Sequence, residues 1–277
     1  MTDVRTILRQ AAEALGDRLE AELLLAHALG VNRAWFFAHA DDEADIAGVA
    51  GFDALVQRRA RGEPIAYITG TRDFWSLTLE VTPATLIPRP ETELLVELAI
   101  ERLPEGGSVV DLGTGSGAIA LAIAKERPDA TVVAIDASVE ALAVARRNGV
   151  RLGLQRVRFM QSDWYAALDG QRYDLIVSNP PYIESSDHHL DEGDLRFEPM
   201  TALASGHDGL DDIRRIANGA TRHLVPGGSL LVEHGWNQGE AVCEVFRAAG
   251  LPAARTVKDL EQRDRVSIAV SPHPREV

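Results

Sequence analysis

Residues 108–124 read SVVDLGTGSGAIALAIA: a short apolar run, three glycines at alternate positions, and an alanine-rich segment. The apolar run predicts a buried strand, and the segment after the glycines predicts a helix that begins at Ala118. The glycines permit a sharp turn between the two, because without a Cβ the backbone can adopt positive φ and a ligand can approach it closely. This order of strand, glycine turn and helix is typical of the first unit of a parallel α/β sheet.

The sequence after Glu91 continues to alternate strand patterns with helical ones, which indicates a parallel sheet covered by helices on both faces. Two late extended segments, 254–257 and 266–270, predict an antiparallel pair at one edge of that sheet. The predicted strands are Ser108–Asp111, Thr131–Ile135, Val157–Met160, Tyr173–Val177 and Ser229–Glu233, and the predicted helices are Ala118–Glu126, Val139–Asn148, Leu210–Leu224 and Gln238–Ala249.

The sequence before Glu91 has a different pattern. Residues 1 to about 72 space their apolar positions by three and four, which predicts a small helical domain whose last helix covers Phe52–Arg61. Residues 74–81 then alternate in strand fashion before Thr82-Pro83 turns the chain. We therefore expect a helical domain over residues 1–73, an extended or hairpin linker over 74–87, and an α/β domain over 88–277.

The composition excludes several classes of protein. The 277 residues are 45% hydrophobic and 25% charged, with no long uncharged apolar run and no apolar leader at the N-terminus. We therefore expect a cytoplasmic protein that does not bind membranes. A net charge of −14 argues against free nucleic acid as the partner, since that affinity comes from basic patches. The single cysteine, Cys243, is interpreted as a buried thiol.

The spacing of the glycine turn indicates which kind of cofactor it would hold. A dinucleotide fold requires G-x-G-x-x-G, whereas this turn is G-x-G-x-G. The next predicted strand ends in Asp136, a carboxylate that could accept hydrogen bonds from the two hydroxyls of a ribose. Trp164 follows the third predicted strand of the sheet and could cover one face of an adenine, with Asp163 directed toward its exocyclic amine. These features together predict a nucleoside site.

A second motif, Ser178-Asn179-Pro180-Pro181-Tyr182, follows the strand predicted over Tyr173–Val177. Its two prolines remove two backbone donors, so that nearby carbonyls are left free to face a ligand. Asn179 offers an amide oxygen and Tyr182 a ring that could stack on a flat group. An amide nitrogen attacks poorly because its lone pair is delocalised. Hydrogen bonds to the Asn179 oxygen and the Pro180 carbonyl would favour the tetrahedral form that attacks a methyl group.

These motifs resemble those of a known family. DLGTGSGAIALAIA (111–124) with SNPPYI (178–183) resembles class I methyltransferases that act on nitrogen. FWSLTLEVTPATLIPRPETELLVE (74–97), RFEPMTAL (196–203) and LLVEHGW (230–236) look like the bacterial release-factor glutamine methyltransferases of the HemK/PrmC type. The resemblance covers the linker and the α/β domain closely, and the helical domain in general plan.

The resemblance implies a Rossmann-like methyltransferase sheet with a small all-helical N-terminal domain that docks the substrate. It implies that S-adenosylmethionine is the cofactor. The acceptor would be N5 of the glutamine in the Gly-Gly-Gln motif of class I peptide-chain release factors. Arg89 to Glu93 would line the site without an assigned role. By position, the residues that bind the cofactor would be Gly113, Thr114, Gly115, Ser116, Gly117, Asp136, Trp164 and Asn179. The residues that hold the glutamine would be Asn179, Pro180, Pro181 and Tyr182. Of these, Asn179, Pro180 and Tyr182 would act in catalysis.

Other interpretations are weaker. An adenine-N6 methyltransferase of DNA or RNA would use the same Asn-Pro-Pro-Tyr motif, but the chain has no segment rich in Lys and Arg. A noncatalytic nucleoside-binding module would not need the proline turn. The sequence Asp187-His188-His189 lacks the spacing of a helical metal site, so we interpret it as a solvated loop and expect no metal. Thr114 stands where a hydrolase G-x-S-x-G turn needs its first glycine, which makes hydrolase chemistry a poor fit.

Overall fold

A computed structural model describes residues 3–43 and 46–273. The described residues form two compact units. The first runs up to Thr71 and includes the distant segment Glu192–Phe197, and the second consists of Arg72–Asp191 and the residues from Glu198 onward. The segment 192–197 therefore belongs with the helical unit although it lies inside the α/β region of the sequence.

The first unit is helical. Asp3 caps α1 by accepting a 2.7 Å hydrogen bond from the Thr6 amide, and Asp17 caps α2 through the Glu20 amide at 3.1 Å. The unit has its own apolar core, in which Leu24, Leu25 and Phe52 are almost fully buried. The helices are α1 (Val4–Leu15), α2 (Arg18–Leu29), α3 (Trp35–Ala38), α4 (Ile46–Ala60) and α5 (Ile65–Thr69).

The sequence-based expectation for the end of this unit was wrong. The helix expected over Phe52–Arg61 begins at Ile46 and ends at Ala60, and a further short helix, α5, follows it. Pro64 has a φ of −57° and precedes the first residue of α5. Proline is common at the start of a helix, because its fixed φ suits the helical backbone and the first amides of a helix have no acceptor within it.

Two short strands follow, β1 (Thr71–Phe74) and β2 (Leu77–Glu80), which pair as a two-stranded sheet. The single strand pattern expected over 74–81 is thus a hairpin that starts earlier, in keeping with the hairpin alternative. Trp75 explains the break, because its φ of +56° places the backbone in the left-handed region and reverses the chain.

The second unit contains a seven-stranded sheet in the order β5-β4-β3-β6-β7-β9-β8. The first five of these are parallel, and β9 pairs antiparallel with both β7 and β8, as expected for the edge. The strands are β3 (Ser108–Leu112), β4 (Thr131–Asp136), β5 (Arg158–Gln161), β6 (Tyr173–Ser178), β7 (Leu224–Glu233), β8 (Arg255–Lys258) and β9 (Asp264–Val270); the helices are α6 (Glu93–Arg102), α7 (Ala118–Glu126), α8 (Val139–Arg151), α9 (Asp211–His223) and α10 (Gly239–Ala248).

The sheet has an apolar core on each face. Val109 packs into one core with α6 and α7, whereas its neighbour Val110 packs into the other with α9 and α10, because successive strand residues point to opposite faces. The expected α/β fold is confirmed, with element ends shifted by a few residues; β7 begins at Leu224 rather than Ser229. The strand order reverses between β3 and β6, and ligands bind open α/β sheets at the carboxyl ends of strands beside such a reversal.

Candidate active site

The glycine turn lies between β3 and α7. Gly113, Gly115 and Gly117 have φ values of +77°, +56° and +87°, a region that other residues enter only with strain. The amides of Gly113 and Thr114 both donate to the Ile135 carbonyl at the end of β4, at 3.0 and 2.8 Å. A Cβ built on Gly115 would meet no atom within 4 Å. The middle of the turn therefore faces open space that a ligand can occupy.

Asp136 ends β4 and faces the same turn. Its carboxylate accepts hydrogen bonds from the amides of Gly115, at 2.8 Å, and Ser138, at 2.9 Å. Burial raises the pKa of this carboxyl, and the amide hydrogen bonds oppose that shift. Asp136 thus both anchors the glycine turn and presents a carboxylate beside it.

A cavity of about 620 Å³ lies at this edge of the sheet, within the usual size range of a small-molecule site. It brings together most of the residues that the sequence singled out, from both motifs. Its lining includes Gly113, Thr114, Gly115, Ser116, Asp136, Asp163, Trp164, Asn179, Pro180 and Pro181, joined by Thr85, Leu86, Pro88, Thr92 and Ile119. Gly117 and Tyr182, which the structure also describes, are not among its lining residues.

Trp164 closes one side of this cavity. Its φ is +49°, and a Cβ built on Gly113 would lie 3.5 Å from its ring, an ordinary van der Waals distance, so the indole packs closely against the turn. The neighbouring carboxylate of Asp163 forms a 2.6 Å ion pair with Arg215. Both residues of that pair line the cavity, so the direction of Asp163 toward an adenine amine stays a prediction.

Asn179 follows β6, where the Ser178 hydroxyl anchors the strand end by donating to the Leu112 carbonyl at 2.6 Å. The Asn179 side-chain nitrogen, Nδ2, donates to the Thr92 hydroxyl at 3.1 Å. With Nδ2 directed at the protein, the amide oxygen Oδ1 is the acceptor that remains for a ligand. Pro180 and Pro181 line the cavity beside it.

Tyr182 is placed differently from the expectation of a ring stacked on a flat ligand. Its ring packs against the core formed with α9 and α10, and its hydroxyl lies 3.4 Å from Glu233 Oε1. Burial and the Glu233 carboxylate raise the pKa of the phenol, so it stays protonated and can act as a donor. Its role in holding a substrate stays a prediction.

The residues of the segment Arg89–Glu93 make different contacts. Arg89 forms an ion pair with the buried carboxylate of Glu198, which also accepts from the Ile87 amide at 2.9 Å. Glu93 accepts from the Trp75 amide at 2.7 Å, and Thr92 lines the cavity. Thr92 thus lines the site as expected of this segment, whereas sequence reasoning missed Glu233, the acid that ends β7; a carboxylate at the carboxyl end of a central strand was the available signal.

The group Asp187, His188 and His189 lies apart from the cavity lining. Its potential ligand atoms come within 4.8 Å of one another, closer than the sequence spacing suggested, and the two histidines are exposed. Asp187 accepts from the His189 ring at 2.7 Å and from its amide at 2.9 Å. These contacts account for the proximity of Asp187 and His189.

The cavity fits the nucleoside cofactor that the sequence predicted. The open space above Gly115, the carboxylate of Asp136 and the indole of Trp164 supply a backbone surface, an acceptor and an aromatic face. In the part of the chain that the structure describes, no helix is long and apolar enough to cross a bilayer.

Comparison with known proteins identifies the family. Family models match at residues 4–70, the PrmC N-terminal domain, and at residues 90–194, the methyltransferase small domain. The release factor glutamine methyltransferase of Xylella fastidiosa (strain Temecula1) is 55% identical over 96% of this chain and 97% of its own length. The enzyme of the same name from Escherichia coli (strain K12) is 47% identical over 96% of each chain.

A solved methyltransferase structure from Pyrococcus furiosus is 19% identical, with a TM-score of 0.56 over 78% of this chain and 97% of its own. At that identity it shows the fold alone. The full-length identity to the two relatives carries the assignment: this chain belongs to the release factor glutamine methyltransferase family and is an S-adenosylmethionine-dependent methyltransferase.

Proposed function

We propose that this enzyme methylates N5 of the glutamine in the Gly-Gly-Gln motif of class I peptide-chain release factors and thereby tunes translation termination. The observation that carries the proposal is the position of Asn179. Its amide lines the same cavity as the glycine turn, with Nδ2 held by Thr92 and Oδ1 available. Bound S-adenosylmethionine would supply a methyl group on a positively charged sulfur.

The acceptor amide is the chemical difficulty, because its nitrogen lone pair is conjugated with the carbonyl. The Asn179 oxygen and the Pro180 carbonyl would accept hydrogen bonds from the two N–H groups of the substrate amide. Both acceptors favour the tetrahedral nitrogen and stabilise the positive charge that develops on it. No strong base is required, and alignment of nitrogen with the methyl group provides much of the rate. The amide proton is lost once the nitrogen has become cationic and acidic.

The cofactor would be held by the glycine turn, Asp136 and Trp164. The turn offers backbone without side chains at Gly113 and Gly115, and Asp136 offers acceptors to the ribose hydroxyls. Trp164 would cover the adenine. Thr114 and Ser116 are buried in the turn, where the Thr114 hydroxyl donates to Asp111 at 2.6 Å, so we assign them mainly to shaping it.

A protein substrate is favoured over nucleic acid by charge. The net charge of −14 would repel a phosphate backbone. The alternative function of the Asn-Pro-Pro-Tyr motif, methylation of adenine in DNA or RNA, would need a basic surface to overcome that repulsion. We therefore include neither free nucleic acid nor membranes among the partners. We place the enzyme in the cytoplasm, where release factors act.

The proposal is tested with methyl-labelled S-adenosylmethionine and a purified class I release factor, followed by peptide mapping. We expect one label, on the glutamine of Gly-Gly-Gln. A release factor with glutamate at that position should take up no label, because the nucleophile and both N–H groups are gone. Labelling of that variant, or efficient labelling of adenine in DNA, would overturn the assignment of the acceptor.

A further inference from the structure

A buried ion pair that the mechanism above does not use lies beside the cavity. The Glu198 side chain is fully buried, and one of its oxygens, Oε1, pairs with Arg89. The other oxygen, Oε2, accepts a 2.9 Å hydrogen bond from the Ile87 amide. Compared with apolar packing such a pair adds little stability, and in some proteins it serves instead to fix one arrangement of the chain. The contacts of Glu198 therefore point to a role in placing the segments that it joins.

Glu198 joins two segments that line the cavity. Both of its partners lie on the first segment, residues 84–92, which supplies Pro88 to the cavity wall. Glu198 itself begins the second segment, residues 198–205, which supplies Pro199. Glu198 is not among the lining residues. Its carboxylate thus holds two parts of the cavity wall together without facing the cavity.

The SNPPYI motif is bonded to both of these segments. Its Asn179 side chain donates to the Thr92 hydroxyl of the first segment at 3.1 Å. Its Ile183 amide donates to the Leu203 carbonyl of the second segment at 2.9 Å, and the Ser205 amide donates back to the carbonyl of the motif residue at 2.9 Å. The motif and the two segments are thus connected pairwise, and the buried carboxylate supplies one of the three connections.

The connection through Glu198 affects Asn179 because Ile87 and Thr92 lie on the same short segment. The carboxylate holds Ile87, and Thr92, further along the segment, holds the Asn179 amide. A shift of the first segment away from the second would therefore move the partner of that amide. A displacement of about 1 Å at a reacting group can lower a rate about a hundredfold.

We infer that Glu198 is a positioning residue for methyl transfer: held by Arg89, it keeps the first and second segments together and thereby keeps Asn179 in place for the acceptor amide. The inference rests on the proposed function, in which Asn179 receives the glutamine. The carboxylate touches neither the acceptor nor the cofactor and acts through the segments that it joins.

The first test measures turnover and cofactor binding separately. Glu198→Gln keeps the shape of the side chain but removes the charge that pairs with Arg89. We expect it to lower kcat on the release factor about ten- to a hundredfold, with kcat expressed per cofactor site counted by calorimetry so that unfolded enzyme is left out. The dissociation constant of S-adenosylmethionine should change by less than about threefold, because the proposed cofactor residues lie on other segments.

Two further variants separate this role from a general loss of stability. Arg89→Lys keeps the charge but not the planar guanidinium, so kcat should fall by about three- to tenfold. Asp174→Asn is the matched control, because the Asp174 carboxylate also accepts a backbone amide, that of Ser108 at 2.8 Å, but at the amino ends of β3 and β6. It should melt at a lower temperature and keep the kcat of the unmodified enzyme. An unchanged kcat in both Glu198→Gln and Arg89→Lys would overturn the inference, as would an equal loss of kcat in the control.

The double variant Glu198→Gln with Asn179→Ala tests whether Glu198 acts through Asn179. Once the side chain that is positioned has been removed, loss of the positioning residue should lower kcat by no more than about a further twofold. A multiplicative loss would show that the two residues act separately and would overturn the inference.

Hydrogen exchange, measured in the cofactor-bound enzyme without a release factor, gives a readout that needs no turnover. The Ile183 and Ser205 amides donate to backbone carbonyls and not to Glu198. Both should exchange faster in Glu198→Gln than in the unmodified enzyme or in Asp174→Asn, because the connected segments loosen together. Unchanged exchange would overturn the inference. If instead the unmodified enzyme labels no release factor while the exchange result holds, the proposed acceptor is wrong and the joining of the segments by Glu198 stands.

Discussion

In the proposed mechanism, Asn179 is the side chain on which the acceptor chemistry depends. We expect Asn179→Ala to lower methyl transfer by about 10²–10³, the usual effect of losing one preorganised group that stabilises developing charge. The affinity for S-adenosylmethionine should fall much less, because the hydrogen bond strengthens only as the nitrogen becomes tetrahedral. Single-turnover kinetics with calorimetry of cofactor binding would measure both. Equal losses in the rate of methyl transfer and in the affinity for S-adenosylmethionine would show that Asn179 acts mainly by binding the cofactor.

Asp136 has a double role that affects the choice of variant. Its carboxylate anchors the amides of Gly115 and Ser138 as well as facing the cavity, so Asp136→Ala would loosen the turn and remove the acceptor together. Asp136→Asn keeps one acceptor oxygen and removes the charge. We expect it to weaken cofactor binding about ten- to a hundredfold, since hydrogen bonds to a charged group contribute about 1.5–3 kcal/mol. An unchanged affinity for S-adenosylmethionine, measured by calorimetry, would show that Asp136 does not bind the cofactor.

From the burial of Asp111 we predict that the free energy of unfolding falls as the pH rises toward neutrality. It is fully buried, and burial raises its pKa to about 7 against the hydrogen bond from Thr114. The folded state therefore holds this proton more tightly than the unfolded chain. Its contribution to the free energy of unfolding is present below pH 4 and is lost as pH rises to about 7.

Asp111→Asn removes this titration. Between pH 5 and pH 8 its melting temperature, relative to that of the unmodified enzyme, should rise in the absence of cofactor. The change of this difference in melting temperature with pH tests the prediction. Its absolute size does not, because the amide also changes the hydrogen bonding to Thr114. Parallel melting curves at the two pH values would show that Asp111 titrates normally.

At the scale of elements, the glycine turn offers a matched pair of substitutions. A Cβ on Gly117 would lie 2.9 Å from Leu121 Cδ1 and 3.3 Å from Ala145 Cβ, whereas a Cβ on Gly115 would meet nothing within 4 Å. Both have positive φ, which disfavours alanine by about 1–2 kcal/mol. Gly117→Ala should therefore lose more stability, by a further ~1–3 kcal/mol from crowding.

Gly115→Ala should show the opposite balance, with a modest loss of stability and a large loss of cofactor affinity, because its methyl group enters the open space of the cavity. Chemical denaturation and calorimetry of the two variants test the contrast. Greater loss of cofactor binding in Gly117→Ala than in Gly115→Ala would show that the ligand does not lie over the middle of the turn.

At the scale of the whole molecule, the two units suggest a division between docking and chemistry. The residues of the cavity all belong to the second unit, and the helical unit has a separate apolar core. We expect an enzyme lacking residues 1–71 to bind S-adenosylmethionine but to methylate an intact release factor poorly, since a protein substrate needs a second surface.

The control for this truncation is a short peptide that contains Gly-Gly-Gln, which needs no docking surface. Full-length and truncated enzyme should methylate it at similar rates. Equal loss on peptide and protein would mean that the truncation damaged the catalytic unit, for instance through the segment 192–197, which packs with the helical unit. Undiminished activity on the intact factor would show that docking does not require the helical unit.

Local patterns in the chain were sufficient for much of this architecture. The glycine turn, Asp136 and the Asn179-Pro180-Pro181 segment each directly follow or end a strand, and parallel strands place such positions along one edge of the sheet. Periodicity of two and of 3.6 separated the helical region from the α/β region. The hairpin was harder to place, because its reversal depends on a positive φ at Trp75, a residue with no turn signature.

By itself the sequence determined the fold class, the kind of cofactor and most of the residues that line the cavity, because these depend on short-range spacing and on residue chemistry. Only the tertiary structure decided that Tyr182 turns into the core, that Asp163 is paired with Arg215, and that Asn179 is oriented through Thr92. Thr92 and Asn179 lie 87 residues apart along the chain. Contacts of that range depend on strand order and side-chain packing, which no local pattern encodes.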